Sequence, residues 1–132
     1  MPPMAMVHET DPKDVLLNKL KPFLDRAKCM NNQVLVAIYD RPAQTKAGIH
    51  LPDKYRDEEQ FQGKACLIVM MGETAFAPDP EKGWFSNVRP VLYDWVAIRP
   101  SDGFPMALGS VKCRLVTDTA VRMVIDQPDL IW

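Results

Sequence analysis

The 132-residue chain is poor in several residue types, and each shortage excludes a class of protein. It contains two histidines and three cysteines. Neither histidine has a cysteine or carboxylate at the close spacing of zinc ligands, so we expect no metal site. No apolar run approaches the roughly 18 residues that a membrane-spanning helix needs, so we expect no membrane partner. The net charge of -1 offers no basic excess to attract nucleic acid.

The few cysteines also predict where the protein is found. Cys29, Cys66 and Cys113 are odd in number and far apart, which is typical of free thiols in a reducing compartment. The first residues of the chain lack the basic segment followed by an apolar one that marks a secretory signal peptide. We therefore expect a cytoplasmic protein.

The motifs of the common enzyme classes are missing as well. The chain has no GxSxG or HExxH motif, no phosphate-binding glycine loop and no dinucleotide fingerprint. His50 is a base in principle, but its neighbours supply neither a nucleophile nor an orienting group. The sequence predicts no catalytic residue and no cofactor, and therefore a protein that is not an enzyme.

What the chain does contain is proline, with twelve prolines against six glycines, a ratio that indicates short elements joined by stiff turns. Asp11 and Pro12 have the residue types of a helix N-cap and first turn, and Pro22 would kink or split the helix that follows. We predict an N-terminal extension with an amphipathic helix, residues 1–30, and an all-β domain, residues 31–132. The segments predicted as strands are residues 33–41, 63–71, 91–99, 106–108, 111–116 and 120–125.

Two long polar segments interrupt these strands, residues 43–62 and 72–90, and loops of such length are usually functional or disordered. The first carries the apolar tripeptide Ile49-His50-Leu51, which could either pack on its own core or enter a groove of another protein. The second carries Trp84 and Phe85, which would either cap one end of the domain or form a second contact surface.

The first loop and its flanking strands resemble the GroES-type co-chaperonins, the small ring-forming lids of chaperonins. In that family a strand leads into a loop that holds a threonine-lysine pair, a glycine and an isoleucine-x-leucine tripeptide, often followed by proline. These features fall here on Thr45-Lys46, Gly48, Ile49-His50-Leu51 and Pro52, and the chain re-enters the sheet at Gly63. The second half is similar in outline, so the resemblance covers residues 33–126.

The resemblance implies a small irregular GroES-like β-barrel that assembles into a ring, commonly of seven subunits. Gly48, Ile49, His50 and Leu51 would bind a chaperonin ring; the loop would order on docking, and the ring of subunits would add avidity. The rival interpretation is a phage virion protein, a capsid decoration or cement subunit that reuses the barrel and contacts capsid subunits. The N-terminal extension and the enlarged second loop favour this rival.

Overall fold

A computed structural model describes residues 11–39 and 64–131 of the chain. One helix is followed by six strands, which confirms a β-rich fold with an N-terminal helix. No helix within the described ranges is long and apolar enough to cross a bilayer. The elements are α1 (Pro12–Leu24), β1 (Gln33–Ile38), β2 (Ala65–Met71), β3 (Trp95–Ala97), β4 (Phe104–Leu108), β5 (Val111–Thr117) and β6 (Met123–Ile125), with 3-10 turns at Asp118–Ala120 and Pro128–Leu130.

The six strands form one antiparallel sheet in the order β4-β5-β1-β2-β3-β6. β1 lies at the centre because its side chains are apolar toward both faces, and every residue of β1 after Gln33 is buried. Its register with β2 shifts between Leu35 and Val36, a bulge that bends the strand. No pairing joins β4 to β6 among the described strands, so the sheet that they form is open where we expected a closed barrel.

Apolar side chains cover both faces of this sheet. On one face, Leu16 and Leu20 of α1 pack in a cluster with sheet residues such as Leu35 and Leu67. The opposite face carries Val34, Val36 and Ile38 and is covered by the segment after β2, where Ala75 and Phe76 are buried. The helix and the second loop therefore each bury one face of the sheet.

The helix begins where the sequence predicts. The Asp11 side chain accepts a hydrogen bond from the Lys13 backbone N–H at 2.9 Å, and Pro12 stands at the first helical position. Of the two predicted effects of Pro22, the split does not occur, because the helix continues through Pro22 to Leu24. Pro22 lies in the last turn, where the loss of its N–H affects a single hydrogen bond near the helix end.

The strand predicted over residues 91–99 is shorter than expected, since only Trp95–Ala97 is extended. Residues 91–94 form a tight turn: the Val91 N–H donates to Asp94 Oδ2 at 3.0 Å, and the Asp94 N–H donates to the Val91 carbonyl at 3.1 Å. Tyr93 adopts a φ of 71° within it. The Asp94 carboxylate accepts the Val91 N–H, which in a continued strand would be free to bond to a neighbouring strand.

The last predicted strand is shorter as well. Its first residues fall in the 3-10 turn Asp118–Ala120 and in the link after it, so β6 keeps only Met123–Ile125. At the other end of the sheet, β1 ends at Ile38, and residues 40 and 41 of the predicted first strand lie outside the described residues.

Candidate functional site

The predicted partner-binding residues Gly48, Ile49, His50 and Leu51 lie outside the described residues, but both ends of the segment that carries them are described. The Tyr39 N–H donates to the Ala65 carbonyl at 3.0 Å, and the Ile98 N–H donates to the Lys64 carbonyl at 3.0 Å. We call Tyr39, Lys64 and Ala65 the loop root. The described residues on either side of positions 40–63 are therefore neighbours, at the end of β1 and the start of β2.

A contact from the end of the chain holds this root. Tyr39 is 2% exposed, and its hydroxyl donates to Asp129 Oδ1 at 2.6 Å. The Tyr39 ring meets the Trp95 ring edge to face, with 5.6 Å between centroids. Asp129 belongs to the 3-10 turn Pro128–Leu130, in which Pro128 is buried. Sequence reasoning missed this contact because no local pattern links two residues 90 positions apart.

The structure places Trp84 and Phe85 in different environments. Phe85 is partly buried and meets the buried Phe76 ring edge to face, with centroids 5.3 Å apart, so it caps one face of the sheet. Trp84 is 44% exposed, and the Lys82 Nζ lies 4.9 Å from its ring centroid. A contact role for Trp84 stays a prediction.

A closed turn presents Trp84. Asp79 Oδ1 accepts the backbone N–H groups of Glu81 and Lys82, at 3.0 and 3.4 Å. The Asp79 N–H donates to the Trp84 carbonyl at 2.9 Å, and Gly83 supplies the positive φ of 70° that the turn requires. A shallow groove of about 210 Å³ lies beside the indole, lined by Trp84, Phe85, Thr119 and Val121.

Alanine substitutions at these two positions should separate capping from surface contact. We expect Phe85→Ala to lower the free energy of unfolding by about 2 kcal/mol, because it removes a partly buried ring from Phe76. Trp84→Ala should change it by less than about 0.5 kcal/mol, as is usual for surface side chains. Urea unfolding measures both values, and equal losses would contradict the assignment.

A buried carboxylate anchors the start of the second loop to the sheet. Asp118, which is 6% exposed, accepts the Phe76 N–H on Oδ2 at 3.1 Å and the Asn32 Nδ2 on Oδ1 at 3.2 Å. Its own N–H donates to the Asn32 carbonyl at 3.0 Å. Phe76 is almost fully buried in a left-handed conformation, with a φ of 60°. These partners give Asp118 a structural role. The sequence predicts only that Asp118 lies in a turn.

The three cysteines are free thiols, and none of them is activated. Burial raises the pKa of Cys66 from its ordinary value of 9.0 to about 12 and that of Cys113 to about 11. Burial also raises the pKa of Cys29, against the lowering effect of a hydrogen bond from the Leu35 backbone. Within residues 11–39 and 64–131, no group of histidine, cysteine and carboxylate side chains is placed to hold a metal ion.

The buried thiol of Cys66 predicts a loss of stability in alkali. Because its folded pKa lies above its unfolded value, its contribution is fully present below about pH 9 and is lost as the pH rises toward 12. We expect the free energy of unfolding of the Cys66→Ala variant to fall less steeply over this interval than that of the wild type. Denaturant titrations at successive pH values measure the two slopes, and identical slopes would contradict a protonated buried thiol.

Comparison with known proteins leaves the family of the chain open. No protein-family model matches the chain, and no curated protein is significantly similar to it.

Proposed function

We propose that this protein is a co-chaperonin-like lid that caps a chaperonin ring and so assists protein folding. Gly48, Ile49, His50 and Leu51 bind the ring, with Ile49 and Leu51 entering an apolar groove. The chaperonin hydrolyses ATP in this proposal, and the present chain contributes no catalytic residue or cofactor. A lid of this kind works beside the chaperonin in the cytoplasm.

The observation that carries the proposal is the loop root, whose residues flank the segment that contains this motif. A docking segment binds best when its ends are held, because ordering it then costs less conformational entropy. Tyr39 and Ala65 are both buried, and they are joined by a backbone hydrogen bond. The twenty-four residues between Tyr39 and Lys64 thus have a rigid base on the sheet and enough length to reach a partner.

The edges of the sheet support assembly of several copies. β4 and β6 are both edge strands among the described elements, and edge strands tend to pair with other chains. Phe104 is exposed on β4, while Met123 and Val124 are exposed on β6. Two different edges that pair head to tail generate a ring when the rotation closes. On this basis we propose that several copies of the protein assemble into a homo-oligomeric ring.

A refolding assay tests the lid function. A chemically denatured enzyme is diluted into a chaperonin ring that needs a lid, with ATP and either this protein or no lid. We expect the protein to raise the yield of active enzyme, and to do so only when ATP is present. An unchanged yield, with a known co-chaperonin active in the same assay, would refute the proposal.

The second candidate is a capsid decoration or cement subunit of a phage virion. The exposed Trp84 favours it, because the Asp79-capped turn holds a large aromatic side chain outward beside an apolar groove, and tryptophan is enriched among the residues that dominate interfaces. Mass spectrometry of purified virions distinguishes the two. Stoichiometric presence of the chain in virions, without chaperonin binding, would establish this candidate in place of the lid.

A further inference from the structure

We propose that a groove beside α1 binds a free aliphatic carboxylate with a chain of about eight to ten carbons. The groove lies between the linker that follows the helix, residues 27–30, and strands β1, β2, β4 and β5. We call it the linker groove. None of the described residues that line it belongs to the loop root or to the predicted docking motif, so binding here does not depend on the lid function.

The linker groove is the part of one apolar sheet face that α1 does not reach. Leu35 pairs with Leu115 on one side and with Met70 on the other, so their side chains share this face. The helix ends at Leu24, and no residue of α1 lines the groove. Residues 27–30 form the outer wall instead. An apolar surface of this shape stays in contact with water unless a ligand fills it.

The size and the lining of the groove fit an aliphatic chain. Its volume is about 300 Å³, at the lower end of the range for small-molecule sites. An apolar cavity of about half that size holds a benzene molecule, so this groove has room for a chain of about eight to ten carbons. Apart from Gln33, the strands contribute aliphatic and thioether side chains, namely Leu35, Met70, Met106, Leu108 and Leu115. Methionine side chains are unbranched and adapt readily to a flexible ligand.

A single charge at the groove selects the head group of the ligand. Lys28 is the only charged residue among the described residues that line the groove, and it is exposed. It forms no ion pair with any residue in the ranges 11–39 and 64–131. An anionic head group therefore finds an available cation there, whereas an ammonium group is repelled. Because exposed ion pairs contribute little, most of the affinity comes from burial of the chain.

A titration with carboxylates of increasing length tests the site. Hexanoate, octanoate and decanoate are each titrated into the full chain by isothermal titration calorimetry, below their critical micelle concentrations. We expect one saturable site per chain and an affinity that rises about fourfold with each added methylene, until the groove is full. Octanoate should bind up to about fivefold more tightly than octanol, and octylammonium should bind more weakly than octanol.

Variants at the wall of the groove test its place. Ala27 is exposed, so Ala27→Trp adds an indole at the groove without changing the core, and this variant should show no saturable octanoate binding. Lys28→Glu should weaken octanoate binding about fivefold or more and leave octanol binding unchanged. Lys19→Glu is the matched control, because it makes the same charge change at an exposed position of α1 that does not line the groove. It should bind octanoate as the wild type does.

Cys29 reports occupancy of the groove in the unaltered protein. Its thiol is free and partly buried and lines the groove, whereas Cys66 and Cys113 are buried. Iodoacetamide should therefore alkylate Cys29 first, and mass spectrometry of the peptides follows the rate. Octanoate at ten times its Kd should slow the reaction about tenfold, because only the unoccupied fraction reacts.

Four results would overturn the proposal. They are the absence of saturable octanoate binding, equal affinity for octanoate and octylammonium, unchanged octanoate affinity in Ala27→Trp, and octanoate binding that leaves the alkylation rate of Cys29 unchanged. Protection of Cys29 that rises with protein concentration in the absence of octanoate would place a second copy of the chain in the groove, and would overturn the proposal as well.

Discussion

The double substitution Ile49→Ser, Leu51→Ser is expected to abolish binding of the protein to a chaperonin ring. Burial of each apolar side chain contributes about 1.5 to 3 kcal/mol, so the pair costs about 3 to 6 kcal/mol per loop. Such a loss weakens each site by a factor of about 100 or more, and a ring of subunits multiplies the effect through avidity. An equilibrium titration of the ring with labelled protein in ATP measures the change.

The substitution Gln60→Ser is the control for this prediction, because it alters a polar residue of the same loop. We expect it to leave the affinity unchanged. The melting temperature of the double variant should match that of the wild type if Ile49 and Leu51 point outward. A large fall in melting temperature would instead place these side chains in the domain's own core, which is the alternative that the sequence leaves open.

Substitution of the buried carboxylate, Asp118→Ala, should destabilise the fold most strongly among single changes in the second loop and its anchors. It leaves the Phe76 N–H without its acceptor inside the protein and removes the bond to Asn32. We expect the free energy of unfolding to fall by about 3 kcal/mol, since a buried donor that loses a charged partner costs more than an exposed one. Urea or guanidinium unfolding measures the loss.

Asp79→Ala is the matched control for Asp118→Ala. Asp79 also accepts two backbone N–H groups, from Glu81 and Lys82, but both bonds are exposed to solvent. Its replacement should cost about 1 kcal/mol or less, because water can satisfy the released donors. Equal losses of unfolding free energy in the two variants would show that burial does not increase the contribution of Asp118 to stability.

Local signals explain most of what the sequence predicts correctly. Asp11 and Pro12 mark the helix start through capping and ring geometry, which depend on neighbouring residues only. The apolar runs at β1 and β2 are short and rich in β-branched residues, which favours strands, and β5 differs from its prediction by one residue. These elements depend little on the rest of the chain.

The errors arise where side chains capture backbone groups or where distant residues meet. The Asp94 carboxylate accepts the Val91 N–H, so residues 91–94 form a turn where their apolar character predicts a strand. The pairing of Tyr39 with Asp129 has no sequence signal, because each residue is unremarkable in its own surroundings. Trp84 and Phe85 are adjacent aromatic residues that the sequence alone does not distinguish. The turn capped by Asp79 leaves the Trp84 side chain exposed and the Phe85 side chain packed.

The most direct measurement of the central claim is gel filtration of the protein with a chaperonin ring, with and without ATP. The lid proposal predicts that the wild type elutes with the ring only in ATP, and that the Ile49→Ser, Leu51→Ser variant elutes apart from it in both conditions. Elution of the wild type apart from the ring in ATP, or equal co-elution of the wild type and the variant, would contradict it.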